Sequence, residues 1–283
     1  MDRPIGVFDS GIGGLTVVRH IFRHLPNEQV IYFGDTARIP YGNKSLPTLR
    51  RFAERDAAFL LSHDVKAILV ACNTIAAVFL PALDEILPVP VVGVVEPSAR
   101  AAVAASRGGR IGIIGTRATI DSGAYPRLIR RLRPDAQVFS VACPLFVPLA
   151  EEGYVTSDAA DAVIAHYLSE LRELAPDTLV LGCSHYWVLA AALQDFVGPD
   201  VALVECGEPA VVELARVLAE RDLLRQELVK PTHRFFVSDL STNFRVMANS
   251  VLDHYLAAVE EADLSRIGGL DGALRPEQKP TTG

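Results

Sequence analysis

The sequence predicts an α/β protein of two similar lobes, each a mainly parallel sheet flanked by helices, pseudo-twofold related, with a cleft between them as the place for a site. Three observations predict it. Short apolar runs alternate with longer amphipathic stretches, the rhythm of βαβ units. The apolar runs lack polar alternation, as strands do when helices cover both faces of a sheet. The pattern also restarts: Ile5-Gly6 recurs as Ile111-Gly112, and Cys72 as Cys183, at nearly the same offset.

The elements follow in order. Ile5 to Phe8 reads as a strand, then a glycine-rich turn and a helix from Leu15 to His24. Val30 to Phe33 is a second strand ending in Gly34-Asp35-Thr36. Leu46 to Ser62 reads as a long helix. The strand Ala67 to Ala71 runs into Cys72-Asn73-Thr74, and a helix follows to Ile86, stopped by Pro88 and Pro90. Val91 to Val95 is a fourth strand. In the second half Arg110 to Ile114 is a strand ending in Gly115-Thr116, with a helix over Ser122 to Arg133. A strand over Gln137 to Val141 and a helix over Asp158 to Leu174 come next. The strand Thr178 to Leu181 ends in Gly182-Cys183-Ser184-His185, and another helix follows. The stretch from Glu208 to Ala262 reads as mainly helical and packs back on the first lobe. These readings divide the chain into a first lobe of residues 1–97 with 209–265, a second lobe of 98–208, and a poorly ordered Gly- and Pro-rich tail, 266–283.

Composition narrows the function. Half of the 283 residues are hydrophobic and 22% are charged, an ordinary globular balance. The net charge of -7 and pI near 5.5 give no footprint for direct nucleic-acid binding. The densest basic run, Arg127, Arg130, Arg131 and Arg133, fits the solvated face of a helix. The apolar stretch Ala67 to Leu83 carries Asn73, Thr74 and Pro81, so it suits a buried strand and helix better than a membrane span. The opening MDRPIGVFDSG lacks the pattern of a secretory leader, so a cytoplasmic protein is expected. Four dispersed cysteines, Cys72, Cys143, Cys183 and Cys206, form no CxxC pair and argue against both disulfides and a zinc site.

In open parallel sheets ligands bind beyond the carboxyl ends of the strands. Asp9-Ser10, Gly34-Asp35-Thr36, Cys72-Asn73-Thr74, Thr116 and Cys183-Ser184-His185 all fall there. Any one could be a structural turn or cap; together they suggest a site. The turn from Ser10 to Thr16 lacks the Gly-Lys-Ser/Thr of a phosphate loop, and Asp9 would repel phosphate and attract an ammonium group. Cys72 and Cys183 each stand where a strand gives way to a helix, whose N-terminus favours a thiolate. Cys143 and Cys206 read as inert small hydrophobes. Two opposed thiols suit inversion of an amino acid: one sulfur removes the α-proton on one face and the other delivers a proton on the opposite face. The carbanion between these steps needs positioned electrostatic stabilisation. Asp9 and His185 are placed to adjust thiol protonation. A pyridoxal enzyme would need a Schiff-base lysine. Of the four lysines, Lys44 alone lies near a strand-end cluster.

The stretches IGVFDSGIGGLTV (Ile5 to Val17), GDTARIPYG (Gly34 to Gly42), ACNT (Ala71 to Thr74), GTRAT (Gly115 to Thr119), PLAEEG (Pro148 to Gly153) and LGCSHY (Leu181 to Tyr186) resemble the glutamate racemase family. The resemblance covers Ile5 to about Ala262. It implies interconversion of L- and D-glutamate without cofactor or metal, supply of D-glutamate for peptidoglycan, and a homodimer. It implies Cys72 and Cys183 as acid/base residues assisted by Asp9 and His185. It implies Asp9, Ser10, Tyr41, Gly42, Cys72, Asn73, Thr74, Thr116, Thr119, Ser184 and His185 as the substrate's holders. Glu151 or Glu152 matches a carboxylate near the site entrance. Trp187 stands where the family has proline, Ser184 where it has threonine, and Ile75-Ala76-Ala77 replaces its small Ala-Ser pair. An aspartate racemase, which GDTARIPYG argues against, and a binding protein that kept the fold are the alternatives.

Overall fold

The computed structural model describes residues 2–226, 230–252, 258–264, 267 and 270. In the first lobe β1 (Ile5–Asp9), α1 (Gly14–His24), β2 (Val30–Gly34), α2 (Leu46–Leu61), β3 (Ala67–Val70), α3 (Asn73–Ile86) and β4 (Val91–Gly93) alternate, and α4 (Val95–Ala105) leads into the second. The second lobe holds β5 (Arg110–Gly115), α5 (Arg117–Asp121), α6 (Ala124–Leu132), β6 (Gln137–Ala142), α7 (Phe146–Glu151), α8 (Asp158–Glu173), β7 (Thr178–Gly182), α9 (Ala190–Val197) and β8 (Ala202–Val204). Then come α10 (Gly207–Glu220), β9 (Arg234–Val237), α11 (Thr242–Val251) and β10 (Val259–Glu261).

Every strand pairing is parallel. The first sheet runs β10-β9-β2-β1-β3-β4 and the second β6-β5-β7-β8. The order β2-β1-β3-β4 is repeated strand for strand as β6-β5-β7-β8, so the faint sequence repeat is a structural one. Cys72 follows β3 and Cys183 follows β7: the two thiols occupy equivalent positions in the two halves. β1, β2, β3 and β7 are buried along their whole length, as parallel strands covered on both faces must be.

The structure corrects the reading of residues 208–262. The segment does return to the first lobe, but it contributes two strands, β9 and β10, at the edge of the first sheet. Arg234-Phe-Phe-Val is too short to show a period, and Val259-Glu-Glu is polar because it forms the outer edge. The helix expected over Ser122 to Arg133 is α6, and a short helix that was not expected, α5, precedes it across Gly123, whose φ of +63° suits glycine. The helix after Cys183 begins as a 3₁₀ turn, Ser184–Leu189. The short β8 and the helices α4 and α7 have weak periodicity and were not anticipated. Of the expected tail, residues 266–283, only Ile267 and Leu270 lie within the described residues; Leu270 is buried in the larger hydrophobic core and Ile267 packs, partly buried, against it.

A buried ion pair fastens the returning segment. Lys66 Nζ lies 2.6 Å from Glu28 Oε2 and donates to the Leu223 carbonyl at 2.7 Å. Glu28 Oε1 accepts from the Arg225 backbone N–H at 2.8 Å. Both charges are out of solvent, so each depends on the other for compensation. No helix among the described residues is long and apolar enough to cross a membrane.

Candidate active site

The site is built where the carboxyl ends of both sheets meet. β1 ends in Asp9, which is fully buried. Its Oδ2 accepts from the Gly14 backbone N–H, the first residue of α1, at 2.7 Å, and from the Ser184 hydroxyl at 3.1 Å. Asp9 therefore joins the glycine turn of one lobe to the thiol turn of the other. Burial lifts its carboxyl above the usual range, while His185 and the donors from Gly14, Ser10 and Ser184 pull it back. The glycines of the turn are there for closeness. A Cβ on Gly13 would sit 2.4 Å from Ser184 Oγ and 2.8 Å from the His185 backbone nitrogen. The Gly11 carbonyl accepts from the buried Tyr32 hydroxyl, which pins the turn from below.

Cys72 is the residue immediately before α3 and is 4% exposed. Burial pushes its thiol well above the ordinary value, and the nearby Asp9 and Cys183 add to this. Backbone N–H groups of Ile75 and Thr74 oppose the shift without overcoming it. At rest Cys72 is a neutral thiol, a proton donor. Cys183, 6% exposed, has its Sγ 3.8 Å from His185 Nδ1. His185 Nε2 in turn lies 2.5 Å from Glu151 Oε1. Burial alone would push His185 down. Its bonds to Cys183 and Glu151 and the Glu151 charge outweigh burial and hold the imidazole well above its ordinary value. The second thiol thus has a cation beside it, the partner that a thiolate needs. The two sulfurs stand in opposite environments on corresponding strands.

The remaining polar residues close the walls. The Thr74, Thr116 and Thr119 hydroxyls form a triangle, with 2.9 Å from Thr74 to Thr116, 3.0 Å from Thr116 to Thr119 and 3.4 Å from Thr74 to Thr119. Thr116 also caps α5 through the Thr119 backbone N–H. Asn73 accepts from the Tyr125 hydroxyl at 2.7 Å and donates to Cys206 Sγ at 3.2 Å. Ser10 is buried beside Asp9. Gly42 faces Thr116 so closely that a Cβ would sit 2.3 Å from Thr116 Cβ. Every residue predicted for the site is buried, but Asn73 gives its amide to the supports Tyr125 and Cys206, and Tyr41 sends its polar atom elsewhere. Its hydroxyl bonds Asp35 Oδ2 at 2.5 Å and Asp56 Oδ2 at 2.9 Å. One hydroxyl cannot donate twice, so one carboxyl carries a proton. Burial and the neighbouring Asp35 lift Asp56 well above the carboxylate range, which identifies Asp56 as the neutral one. Asp35 is further bound by Arg38 at 2.8 Å. The Gly34-Asp35-Thr36 cluster is thus a support for the loop, not a ligand face.

The structure separates the two glutamates that sequence left equivalent: Glu151 bonds His185, and Glu152 is exposed. Tyr32, Tyr125, Asp56 and Cys206 are the supports that sequence reasoning missed. Only Cys206 carried a signal, as a cysteine immediately before a helix. Trp187, past the thiol turn, lies under the Arg19 guanidinium of α1, 4.2 Å from the ring centroid, and so packs across the junction. Cys143 is buried and apolar in its surroundings, and burial pushes its thiol up.

A sequence profile of Asp/Glu/Hydantoin racemases matches residues 5–214. The chain is 47% identical over 262 residues to a glutamate racemase of Geobacter metallireducens, covering 93% of this chain and 97% of that one. It superposes with a TM-score of 0.87 on the glutamate racemase of Francisella tularensis in complex with D-glutamate, at 39% identity, covering 93% and 98% of the two chains. An aspartate racemase of Picrophilus torridus, at 15% identity and a TM-score of 0.54, covering 77% of this chain and 94% of that one, shares the fold alone. The chain belongs to the aspartate/glutamate/hydantoin racemase family.

Proposed function

We propose that the protein is a glutamate racemase that moves the α-proton between Cys183 and Cys72. The observation that carries the reading is the pair of buried thiols at equivalent strand ends, one neutral and the other beside a cationic imidazole. In the direction from L to D, Cys183 as thiolate removes the α-proton. The His185 cation, held by Glu151, stabilises the charged sulfur before the transfer. Cys72, a thiol, delivers its proton to the opposite face and is left as the thiolate, and the Asp9 charge nearby favours its reprotonation. The roles exchange for D-glutamate. Asp9 faces the substrate ammonium, and the Asn73-Thr74 and Ser184-His185 turns offer N–H and hydroxyl donors to its carboxylates. Neither metal nor pyridoxal is required by this chemistry. The product D-glutamate suits peptidoglycan synthesis in the cytoplasm, and a homodimer is the expected assembly.

Substrate choice rests on the GDTARIPYG loop and on relatives named for glutamate. The test is to incubate the protein with L-glutamate or L-aspartate in D2O and follow the α-proton by NMR together with optical rotation. Loss of the α-proton with racemisation of glutamate is expected. Exchange with aspartate alone moves the assignment to the sister activity, and exchange with neither leaves a binding protein that kept the fold.

A further inference from the structure

His20 and His24 stand four residues apart on α1, so both imidazoles project from one side of the helix. That side faces the start of α10. Glu208, in the first turn of α10, has its Oε1 3.2 Å from His24 Nε2. Glu205, just before the helix, has its Oε1 2.5 Å from His20 Nε2. The donor atoms of His20, His24 and Glu208 all lie within 4.8 Å of one another. His20 is 7% exposed, and its buried Nε2 stays outside hydrogen-bond geometry despite the short approach to Glu205. Gly207 makes room for this: a Cβ there would come within 2.9 Å of His20 Cδ2. No residue of the cluster takes part in the chemistry described above.

We propose that His20, His24 and Glu208, with Glu205 as the fourth donor, form a site for a divalent transition-metal ion, Zn2+ in the first instance. Two imidazoles and two carboxylates suit zinc, whose bonds of about 2.0–2.2 Å in a tetrahedron place ligands about 3.3 Å apart. His24 and Glu208 are solvent-facing and rotate to reach that spacing, while His20 is already fixed. The donor set excludes Mg2+, which prefers oxygen ligands. The ion would clamp α1, whose first residue holds Asp9, to α10, which leaves the second sheet and begins at Cys206 beside Asn73. The histidine spacing was visible in the sequence.

The test must keep this site apart from the buried thiols, because a thiol is a zinc ligand in its own right. Chelator-treated protein is titrated with Zn2+ against a chromogenic chelator, in the wild type, in Cys72→Ala/Cys183→Ala, and in His24→Ala and Glu208→Gln made in that double variant. Both added substitutions are at exposed positions, so folding is preserved and is checked by circular dichroism. One Zn2+ per chain is expected to remain bound in the cysteine double variant, with at least about 10-fold weaker binding once His24 or Glu208 is changed. Co2+ in the cysteine variant should give a visible ligand-field spectrum that His24→Ala abolishes, and Zn2+ but not Mg2+ should raise its Tm by about 3 °C or more. Binding that disappears with the cysteines, or that is unchanged in His24→Ala, overturns the proposal.

Discussion

Gly13→Ala tests the claim that the site depends on contact between the two lobes. The backbone at Gly13 has φ -57° and ψ -35°, so alanine fits its conformation and any effect is steric. The added Cβ would stand 2.7 Å from the Ser184 carbonyl carbon and 2.8 Å from the His185 nitrogen, where ordinary contact begins at 3.4 Å. Both neighbours are backbone, so the turns must part by about 0.6–0.7 Å or the helix must tilt. Overpacking of this kind costs about 1–3 kcal/mol. In a chain of this size that lowers Tm by roughly 2–10 °C. Displacement between Asp9 and the Cys183 turn is more damaging than the lost stability, since misplacement approaching 1 Å costs about 10²-fold in rate. The assay is racemisation followed by circular dichroism, with Tm measured alongside. A kcat reduced about 100-fold in a protein that still folds is expected. A variant within about 3-fold of wild type in kcat would refute the reasoning, because the contact would then not position the chemistry.

Three further outcomes follow from the supports. Tyr41→Phe strips the buried Asp35–Asp56 pair of its shared hydroxyl and should cost about 1–3 kcal/mol in urea unfolding, whereas Asp56→Asn, which replaces an already neutral group, should cost less. A larger loss in Asp56→Asn would mean that Asp56 is charged. Lys66→Met leaves Glu28 buried without its cation and should destabilise by about 3–5 kcal/mol, and a neutral effect on Tm would contradict the buried pair. His185 has a raised value in the folded state, so the stability from its charged form is complete below the unfolded value of about 6.5 and is lost as pH rises through the folded one. Glu151→Gln removes the anion that raises it. The stability gap between Glu151→Gln and wild type should therefore be wider at about pH 6 than at about pH 10. A gap that is constant with pH would show that Glu151 does not hold the imidazolium.

Much of the site was legible because parallel sheets concentrate function at strand ends. Cys72 and Cys183 could be paired from sequence because each follows an apolar strand, and the repeat made their equivalence visible. Asp9, Thr116 and Ser184 followed from the same geometry. What sequence concealed was long-range in origin. The bond between Glu151 and His185 spans two elements of the second lobe, and nothing local distinguishes Glu151 from Glu152. Tyr32, Tyr125 and Asp56 act through hydroxyls and carboxyls that meet only after the sheets assemble. β9 was hidden because its pairing with β2 joins residues about two hundred positions apart, and that pairing, not propensity, makes it a strand.

The central claim is that the two sulfurs divide the work by face, and isotope wash-in on single variants tests it most directly. Cys72→Ser and Cys183→Ser are each incubated in D2O with L-glutamate and, separately, with D-glutamate, and deuterium at the α-carbon is followed by NMR. Racemisation should be lost in both. Cys72→Ser should still exchange the α-proton of L-glutamate, because Cys183 remains to remove it, and Cys183→Ser should exchange only that of D-glutamate. The reverse pattern would contradict the assignment of Cys183 to the L enantiomer. Undiminished racemisation in either variant would contradict the two-thiol mechanism itself.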